Sequence, residues 1–350
     1  MGITKKDTGL TFGGKPVYLF RMVSGEVEAE ISTFAAGLRG IYLPKDGEKK
    51  NIVLRFEKEE DYFTTTTSNG VVLAPNAGRI CLLDGDPVLH IDGIDYPLSK
   101  NERGSNNLHG GADSAKTRNW DVKEYHDTED GGEVTLEIML EDGLEGYPGN
   151  RKVTACWTLD PAGLHVKITA VTDKKTYMDP ACHPYFNLSG DMTTYSHHDF
   201  YRINADRYVT DDPPTAVPLA ILPVDGTAFD LREGGKLSYF ESIGEPELVA
   251  VHGYNNGFVF NETDEPQIHI ENENSGFAVD IRTNAPSAVI CSNPFFYGVR
   301  LEGGLVMRAG AAVAVECQEI PNEPNLCPDT CRYLEPGEEA VRTIDFLLSY

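Results

Sequence analysis

The chain has 350 residues, 40% of them hydrophobic, and it is rich in turn-forming residues, with 34 glycines and 21 prolines. This composition excludes a disordered or collagen-like protein, and a formal net charge of −25 argues against a nucleic-acid partner because phosphates would be repelled. The opening residues lack the apolar core of a signal peptide and no apolar run reaches 18 residues, so we expect a cytoplasmic protein that does not contact a membrane.

Taken in chain order, the predicted elements are short strands separated by turns. The best helical candidate, at 113–120, predicts two helical turns at most. Alternating apolar and polar residues predict antiparallel strands with one solvated face at 134–140, 165–173 and 277–284. The Pro-rich stretch at 210–227 predicts an ordered loop that packs on the body of the protein.

The succession of these elements indicates the fold class. Strands and turns recur along the chain, and strands do not alternate with helices. This pattern predicts an all-β protein, a large antiparallel β-sandwich. We see no linker of low complexity, so a single domain covering residues 1–350 is expected.

The cysteines bear on metals and on redox compartment. There are seven, at positions 81, 156, 182, 291, 317, 327 and 331. An odd number with one close pair favours reduced thiols. Cys327 and Cys331 have the spacing of half a zinc site, but no second Cys or His pair stands at a matching spacing, so no metal site is predicted.

The segment AAVAVECQEIPNEPN, residues 311–325, contains a candidate catalytic carboxylate. If it forms a strand, Glu316 and Gln318 share one face and Cys317 lies on the other. One interpretation is a solvated outer face on which Glu316 points at water. The other is the floor of a cleft, where burial makes the carboxylate a better base. The segment by itself does not choose between them.

Three further segments contain polar residues beside turns. In ACHPYFNLSG, residues 181–190, His183 is a packed strand residue, a metal ligand or a proton donor. In NNLHGG, His109 precedes two glycines and is either a surface loop residue or a ligand contact. In APNAGRI, Arg79 is either a partner for hydroxyls or a carboxylate, or one half of a structural salt bridge.

Two classes of hydrolase lack support in this sequence. A Ser-His-Asp hydrolase of the elbow type needs a G-x-S-x-G segment, and none is present. A glycoside hydrolase normally needs two carboxylates across the scissile bond, and only Glu316 lies in a motif that recommends it.

In their residues and in their order along the chain, the motifs of this protein resemble those of the aldose 1-epimerases, the galactose mutarotase family. The matching segments span most of the chain and are NAGRI, NNLHGG, EGYPGNRKV, VTD to ACHPYFNLSG, PVDGTAFDLR, HGYNNGFVF and ECQEIPNEPN. The resemblance implies a large antiparallel β super-sandwich of the galactose mutarotase type with an open sugar cleft. It also implies interconversion of the α and β anomers of a free aldose without metal or cofactor.

The resemblance assigns roles to individual residues. Glu316 resembles the general base of the family and His183 its general acid, while Arg79 and His109 resemble residues that hold the hydroxyls and ring oxygen of the sugar. With such an acid and base we expect a bell-shaped dependence of kcat/KM on pH, whose basic limb disappears in His183→Ala.

The chain departs from the family pattern at two positions. Asn255 stands where the family usually has an Asp that accepts hydrogen bonds from sugar hydroxyls, and Val289 stands where it has a Gln. Asn255 is therefore expected to bind substrate, but the preferred sugar stays open. Because an Asn can also donate a hydrogen bond, our hypothesis is a sugar with a different hydroxyl arrangement or with an acidic or substituted group. A non-catalytic carbohydrate-binding or sensing protein on the same fold is the alternative function, and the chain is expected to be a monomer or homodimer.

Overall fold

Antiparallel strands dominate the fold. The computed structural model describes residues 1–65, 68–239, 244–292, 298–308 and 310–350. The described strands are β1 (Gly2–Phe12), β2 (Lys15–Ser24), β3 (Val27–Ser32), β4 (Leu38–Lys45), β5 (Glu48–Asn51), β6 (Val72–Leu73), β7 (Arg79–Ile80), β8 (Val88–Ile91), β9 (Ile94–Pro97), β10 (Asn107–Leu108), β11 (Asp121–Asp127), β12 (Gly132–Leu140), β13 (Arg151–Leu159), β14 (Gly163–Thr172), β15 (Ala181–Cys182), β16 (Tyr185–Phe186), β17 (Phe200–Ile203), β18 (Ala205–Asp211), β19 (Pro218–Pro223), β20 (Gly235–Lys236), β21 (Asn255–Phe260), β22 (Ile268–Asn272), β23 (Phe277–Thr283), β24 (Ser287–Cys291), β25 (Val313–Gln318) and β26 (Glu339–Ser349).

The described helices are short. They are α1 (Asp61–Thr64), α2 (Pro246–Val251) and α3 (Glu323–Leu326), with 3₁₀ turns at Ala115–Thr117, Leu144–Gly146, Ser196–His198 and Leu237–Tyr239. Within the described ranges, no helix combines the length and the apolar character that crossing a lipid bilayer requires.

Three antiparallel sheets contain most of these strands. Their orders are β1-β2-β3-β4-β5, then β11-β12-β13-β14-β26-β23-β22-β17-β20, and β16-β25-β24-β21-β18-β19. The pairs β10-β7, β15-β6 and β8-β9 form small ribbons beside them. All three large sheets contribute to one hydrophobic cluster, whose members include Phe20, Ile31, Trp157, Ile168, Phe258, Ile290, Val315 and Phe346. This shared core is the apolar layer of the predicted all-β super-sandwich.

The strands predicted at 134–140, 165–173 and 277–284 are confirmed as β12, β14 and β23. In β14 the predicted alternation holds, since Val166 and Ile168 are buried and Lys167 is exposed. In β12 the prediction of a solvated face is wrong at Thr135. This residue is buried, and its partners on the neighbouring strands are Glu124 and Cys156.

Two local predictions differ from the structure. The two-turn helix at 113–120 is a single 3₁₀ turn, because Arg118 is extended and its carbonyl accepts the Ala35 N–H at 2.8 Å. The loop predicted at 210–227 contains the edge strand β19, which pairs with β18. Proline is tolerated there because β19 has an open edge in this sheet.

The six-stranded sheet contains two of the candidate residues, Glu316 on β25 and Asn255 on β21. On it, Glu316 of β25 pairs with Val289 of β24, and Val289 pairs with Gly257 of β21. Adjacent residues in such a row present their side chains on the same face of a sheet. The side chains of Glu316 and Val289 therefore project from the same face of the six-stranded sheet, and position 257 faces the same way.

Candidate active site

A cavity of about 560 Å³ lies over this face of the six-stranded sheet. That volume is typical of sites for small molecules. The five candidate residues taken from the sequence all line it: Arg79, His109, His183, Asn255 and Glu316.

Glu316 is at the floor of the cavity. The residue is only 4% exposed, so the cleft interpretation is the one that the structure favours over a solvated outer face. Its Oε1 lies 3.0 Å from Nε2 of His183. Its Oε2 is buried and has no hydrogen-bond partner among the described residues. An unpartnered buried carboxylate oxygen is costly unless a ligand supplies a donor.

His183 is held rigidly between β15 and β16. Its backbone N–H donates to the carbonyl of Val71 at 3.0 Å, and its carbonyl accepts the Gly70 N–H at 2.9 Å. Its ring stacks on Tyr185, with ring centres 4.9 Å apart. Stacking on Tyr185 and the contact from Nε2 to Glu316 orient the ring, while its Nδ1 is buried and has no hydrogen-bond partner among the described residues.

His109 follows β10 and adopts a left-handed backbone conformation with φ of 53°. The N–H of Gly78 donates to its Nδ1 at 3.1 Å, so the ring proton of the neutral form sits on Nε2. Burial, with a smaller effect of the Lys116 charge, lowers the pKa of His109 well below 6.5. His109 is therefore a neutral donor that offers Nε2–H to the cavity.

Arg79 forms a structural salt bridge and also has an amino group that can bind a ligand, so both possibilities left open by the sequence apply. Its Nε and Nη2 donate to the carboxylate of Glu102 at 3.1 and 2.9 Å, which is a bidentate salt bridge. Within the described ranges no protein group accepts a hydrogen bond from Nη1. The ion pair fixes the guanidinium, and the remaining amino group is available to a ligand.

Asn255 begins β21, and its side-chain amide makes no hydrogen bond to any described residue. The neighbouring Asn256 differs, because its Nδ2 donates to Val209 and to Glu247. Val289 also lines the cavity and is 8% exposed. The amide at 255 therefore faces the cavity and the amide at 256 supports the fold.

Four charged residues that the sequence did not indicate also line this cavity: Glu102, Arg103, Lys116 and Asp211. Glu102 is the partner of Arg79, so Lys116 and Asp211 are the two considered further. Lys116 lies in the 3₁₀ turn after NNLHGG, and burial lowers its pKa to about 8. Asp211 ends β18, at the start of the Pro-rich stretch. Neither stands in a segment with a pattern that indicates a pocket, since both reach the cavity through contacts with distant parts of the chain.

His109, His183 and Glu316 are also the kinds of residue that bind metals. Their potential ligand atoms lie within 4.8 Å of one another, and the described residues contain no other such group. The nitrogen of His109 nearest Glu316 is Nδ1, at 3.9 Å, and that atom already accepts the Gly78 N–H. A metal bound at Nδ1 would have to displace this hydrogen bond, so the donor set does not favour a metal at that atom.

The paired groups suit proton transfer at a carbon that bears two oxygens. A carboxylate oxygen and an imidazole nitrogen stand side by side, 3.0 Å apart. The hydroxyl and ring oxygen of a cyclic sugar share one carbon, so an acid and a base that act on both must be neighbours. The geometry meets that requirement.

Comparison with known proteins identifies the family. The model of the family described as aldose 1-epimerase matches residues 18–346. The galactose mutarotase of Rattus norvegicus is 28% identical over 348 residues, which cover 97% of this chain and 96% of that protein. The aldose 1-epimerase of Escherichia coli (strain K12) is 26% identical over 300 residues, 84% of each chain.

A solved structure shows the same fold. The crystal structure of galactose 1-epimerase from Lactobacillus acidophilus NCFM has a TM-score of 0.85 to this chain, at 24% identity, and the match covers 99% of this chain and 98% of that one. The architecture is that of the galactose mutarotases. With the family model matched along nearly its whole length, this chain belongs to the aldose 1-epimerase family.

Proposed function

We propose that the protein is a mutarotase that interconverts the α and β anomers of a free hexose or related aldose. The observation that carries this proposal is the position of Glu316 and His183, side by side at the floor of a cavity of a size that suits a sugar. The names of its relatives, galactose mutarotase and aldose 1-epimerase, support the same reaction.

The proposed reaction needs one base and one acid. Glu316 removes the proton of the anomeric hydroxyl while His183 donates a proton to the ring oxygen; the bond from C1 to the ring oxygen breaks and the C1 carbonyl forms. Rotation about the C1–C2 bond exposes the other carbonyl face. Reversed transfers then close the ring and return both groups to their starting states. Each positioned proton transfer contributes about 10²- to 10⁴-fold.

The other candidate residues bind the sugar in this proposal. His109 donates from Nε2, and Arg79 donates from Nη1. The amide of Asn255 both donates and accepts, so it accommodates hydroxyls in either role. The chemistry requires neither metal nor cofactor, because both proton transfers are made by side chains of the chain.

Polarimetry tests the proposal directly. Freshly dissolved α-galactose, α-glucose and other aldoses are followed with the wild type, with Glu316→Gln and with Glu339→Gln, a matched change at an exposed position of β26. We expect acceleration by the wild type and by Glu339→Gln, a loss of about 10²- to 10⁴-fold in Glu316→Gln, and full activity in the presence of a chelator.

Other outcomes would contradict parts of the proposal. Sugar binding without acceleration on any aldose would favour the alternative, a non-catalytic carbohydrate-binding or sensing protein. Activity that disappears with a chelator and returns with added metal would overturn the cofactor-free reaction. An unchanged rate in Glu316→Gln would remove Glu316 from the role of base.

A further inference from the structure

Asp211 is a charged side chain of the cavity that the proposed acid-base chemistry does not use. It is half-buried at the end of β18 and lines the cavity together with Arg79 and Asn255. Among the described residues, none donates a hydrogen bond to its carboxylate and none forms a close ion pair with it. Burial raises the pKa of Asp211 to about 7, and the Arg79 charge opposes that shift. A carboxylate placed in this way lacks the donors that would offset its desolvation.

The backbone at Asp211 is held firmly although its side chain is not. Glu247 of α2 accepts the Asp211 N–H at 2.8 Å and the Thr210 hydroxyl at 2.7 Å. The same carboxylate accepts a hydrogen bond from Asn256 of β21. Glu247 thus ties the end of β18 to the start of β21, and the direction of the Asp211 side chain is set by rigid elements.

The strand register determines the position of Asp211 relative to Glu316 and His183. Tyr208 pairs with Phe258, and continuing that antiparallel register brings Asp211 opposite Asn255. Between Asp211 and the strand of Glu316 lie β21 and β24. Three strand spacings amount to about 14 Å. Asp211 therefore stands at the end of the cavity away from Glu316, with room for a sugar ring between the two carboxylates.

From this geometry we infer that Asp211 is a specificity-determining residue, whose carboxylate accepts a hydrogen bond from a sugar hydroxyl on the ring edge remote from the anomeric carbon. Arg79 and Asn255 contact the same edge and supply the donors. The substrate class is then a neutral aldose with a free hydroxyl at this edge. A sugar with a carboxylate or phosphate there is disfavoured, because it would lie against the charge of Asp211.

This inference rests on the proposed mutarotase activity, and its test separates the two. Asp211→Asn keeps the shape of the side chain and removes its charge. Asp206→Asn is the matched control, since Asp206 lies on the same strand, is exposed and does not line the cavity. Asp211→Ser is a second variant in case Asp211→Asn does not fold, as judged by circular dichroism.

Kinetics on galactose, glucose and their monodeoxy analogues give the readout. We expect Asp211→Asn to raise KM about 10- to 100-fold for the parent sugars, as the loss of a charge-assisted hydrogen bond does, with little change in kcat. Asp206→Asn should leave both constants unchanged. For the analogue that lacks the contacted hydroxyl, the wild type and Asp211→Asn should have the same KM. In Asp211→Asn, the kcat/KM of sugars that bear an acidic group should rise relative to that of the parent sugars.

Two kinetic results would overturn the inference. The first is an unchanged KM for every sugar in Asp211→Asn while Glu316→Gln is inactive, which would leave the mutarotase proposal standing. The second is a rise in KM that is equal for all deoxy analogues, which would indicate a structural effect. If the wild type accelerates no aldose, the mutarotase proposal fails alone, and calorimetric titration of the same sugars decides: weaker binding by Asp211→Asn supports the contact, and equal binding refutes it.

Discussion

His183 and His109 share a cavity, and their hydrogen bonds give them different chemistry. Nε2 of His183 contacts Glu316 at 3.0 Å, whereas Nδ1 of His109 accepts a backbone N–H. Burial lowers the pKa of His109 well below 6.5, which favours the neutral ring. In the proposed reaction, the proton transferred to the ring oxygen is therefore expected to come from His183.

This difference predicts distinct pH profiles for two variants. A general acid must be protonated, so activity falls as pH rises and the acid loses its proton. We expect His183→Ala to have no basic limb in kcat/KM and His109→Gln to retain it at a lower plateau. Polarimetric rates between pH 5 and 9 measure both profiles. A basic limb that survives in His183→Ala would remove His183 from the role of acid.

At the scale of an element, β21 depends on a glycine. A Cβ atom at Gly257 would lie 2.7 Å from Cγ and 2.9 Å from Cδ of Pro321, and both residues line the cavity. Contacts this short force the neighbour to move. The absence of a side chain at 257 lets the segment after β25 close over the sheet.

Substitution of Gly257 by alanine tests how tightly β21 packs against Pro321. We expect Gly257→Ala to reduce the free energy of unfolding by about 1–3 kcal/mol, as overpacking does, and to raise KM because Pro321 is displaced. Gly235→Ala is the control, since its Cβ would meet only Leu231 at an ordinary 3.5 Å. Denaturant titrations measure both variants. Equal stability of the two would show that the segment around Pro321 yields without cost.

At the scale of the whole molecule, we propose that residues 1–350 fold as one domain. The hydrophobic cluster includes Phe20 near one end of the chain and Phe346 near the other, and all three large sheets contribute to it. Trp157 of the nine-stranded sheet donates a hydrogen bond to Ala36 beside the five-stranded sheet at 3.1 Å. Sheets that share a core are expected to unfold together.

Calorimetry tests this proposal. We expect a single thermal transition with equal calorimetric and van't Hoff enthalpies, and the same midpoint by tryptophan fluorescence and by far-UV circular dichroism. Trp120 and Trp157 are both in the cluster, so fluorescence reports on the core. Two resolved transitions, or midpoints that differ between probes, would indicate separate domains.

Sequence patterns alone predicted three of the strands and the family. Alternation with a period of two is a local property, so it predicted β12, β14 and β23. Motifs in family order indicated aldose 1-epimerases, the family that the model match confirms, and they supplied five residues that all line one cavity.

Which faces are covered and which charges meet became visible in the three-dimensional fold. The period of a strand is the same whether Glu316 faces water or a cavity floor, and the choice depends on residues such as His183 that are distant in the chain. For the same reason no local pattern indicated that Thr135 is buried or that Asp211 and Lys116 reach the cavity. Burial and pairing are set by strand register and by the packing of sheets, and these are non-local properties.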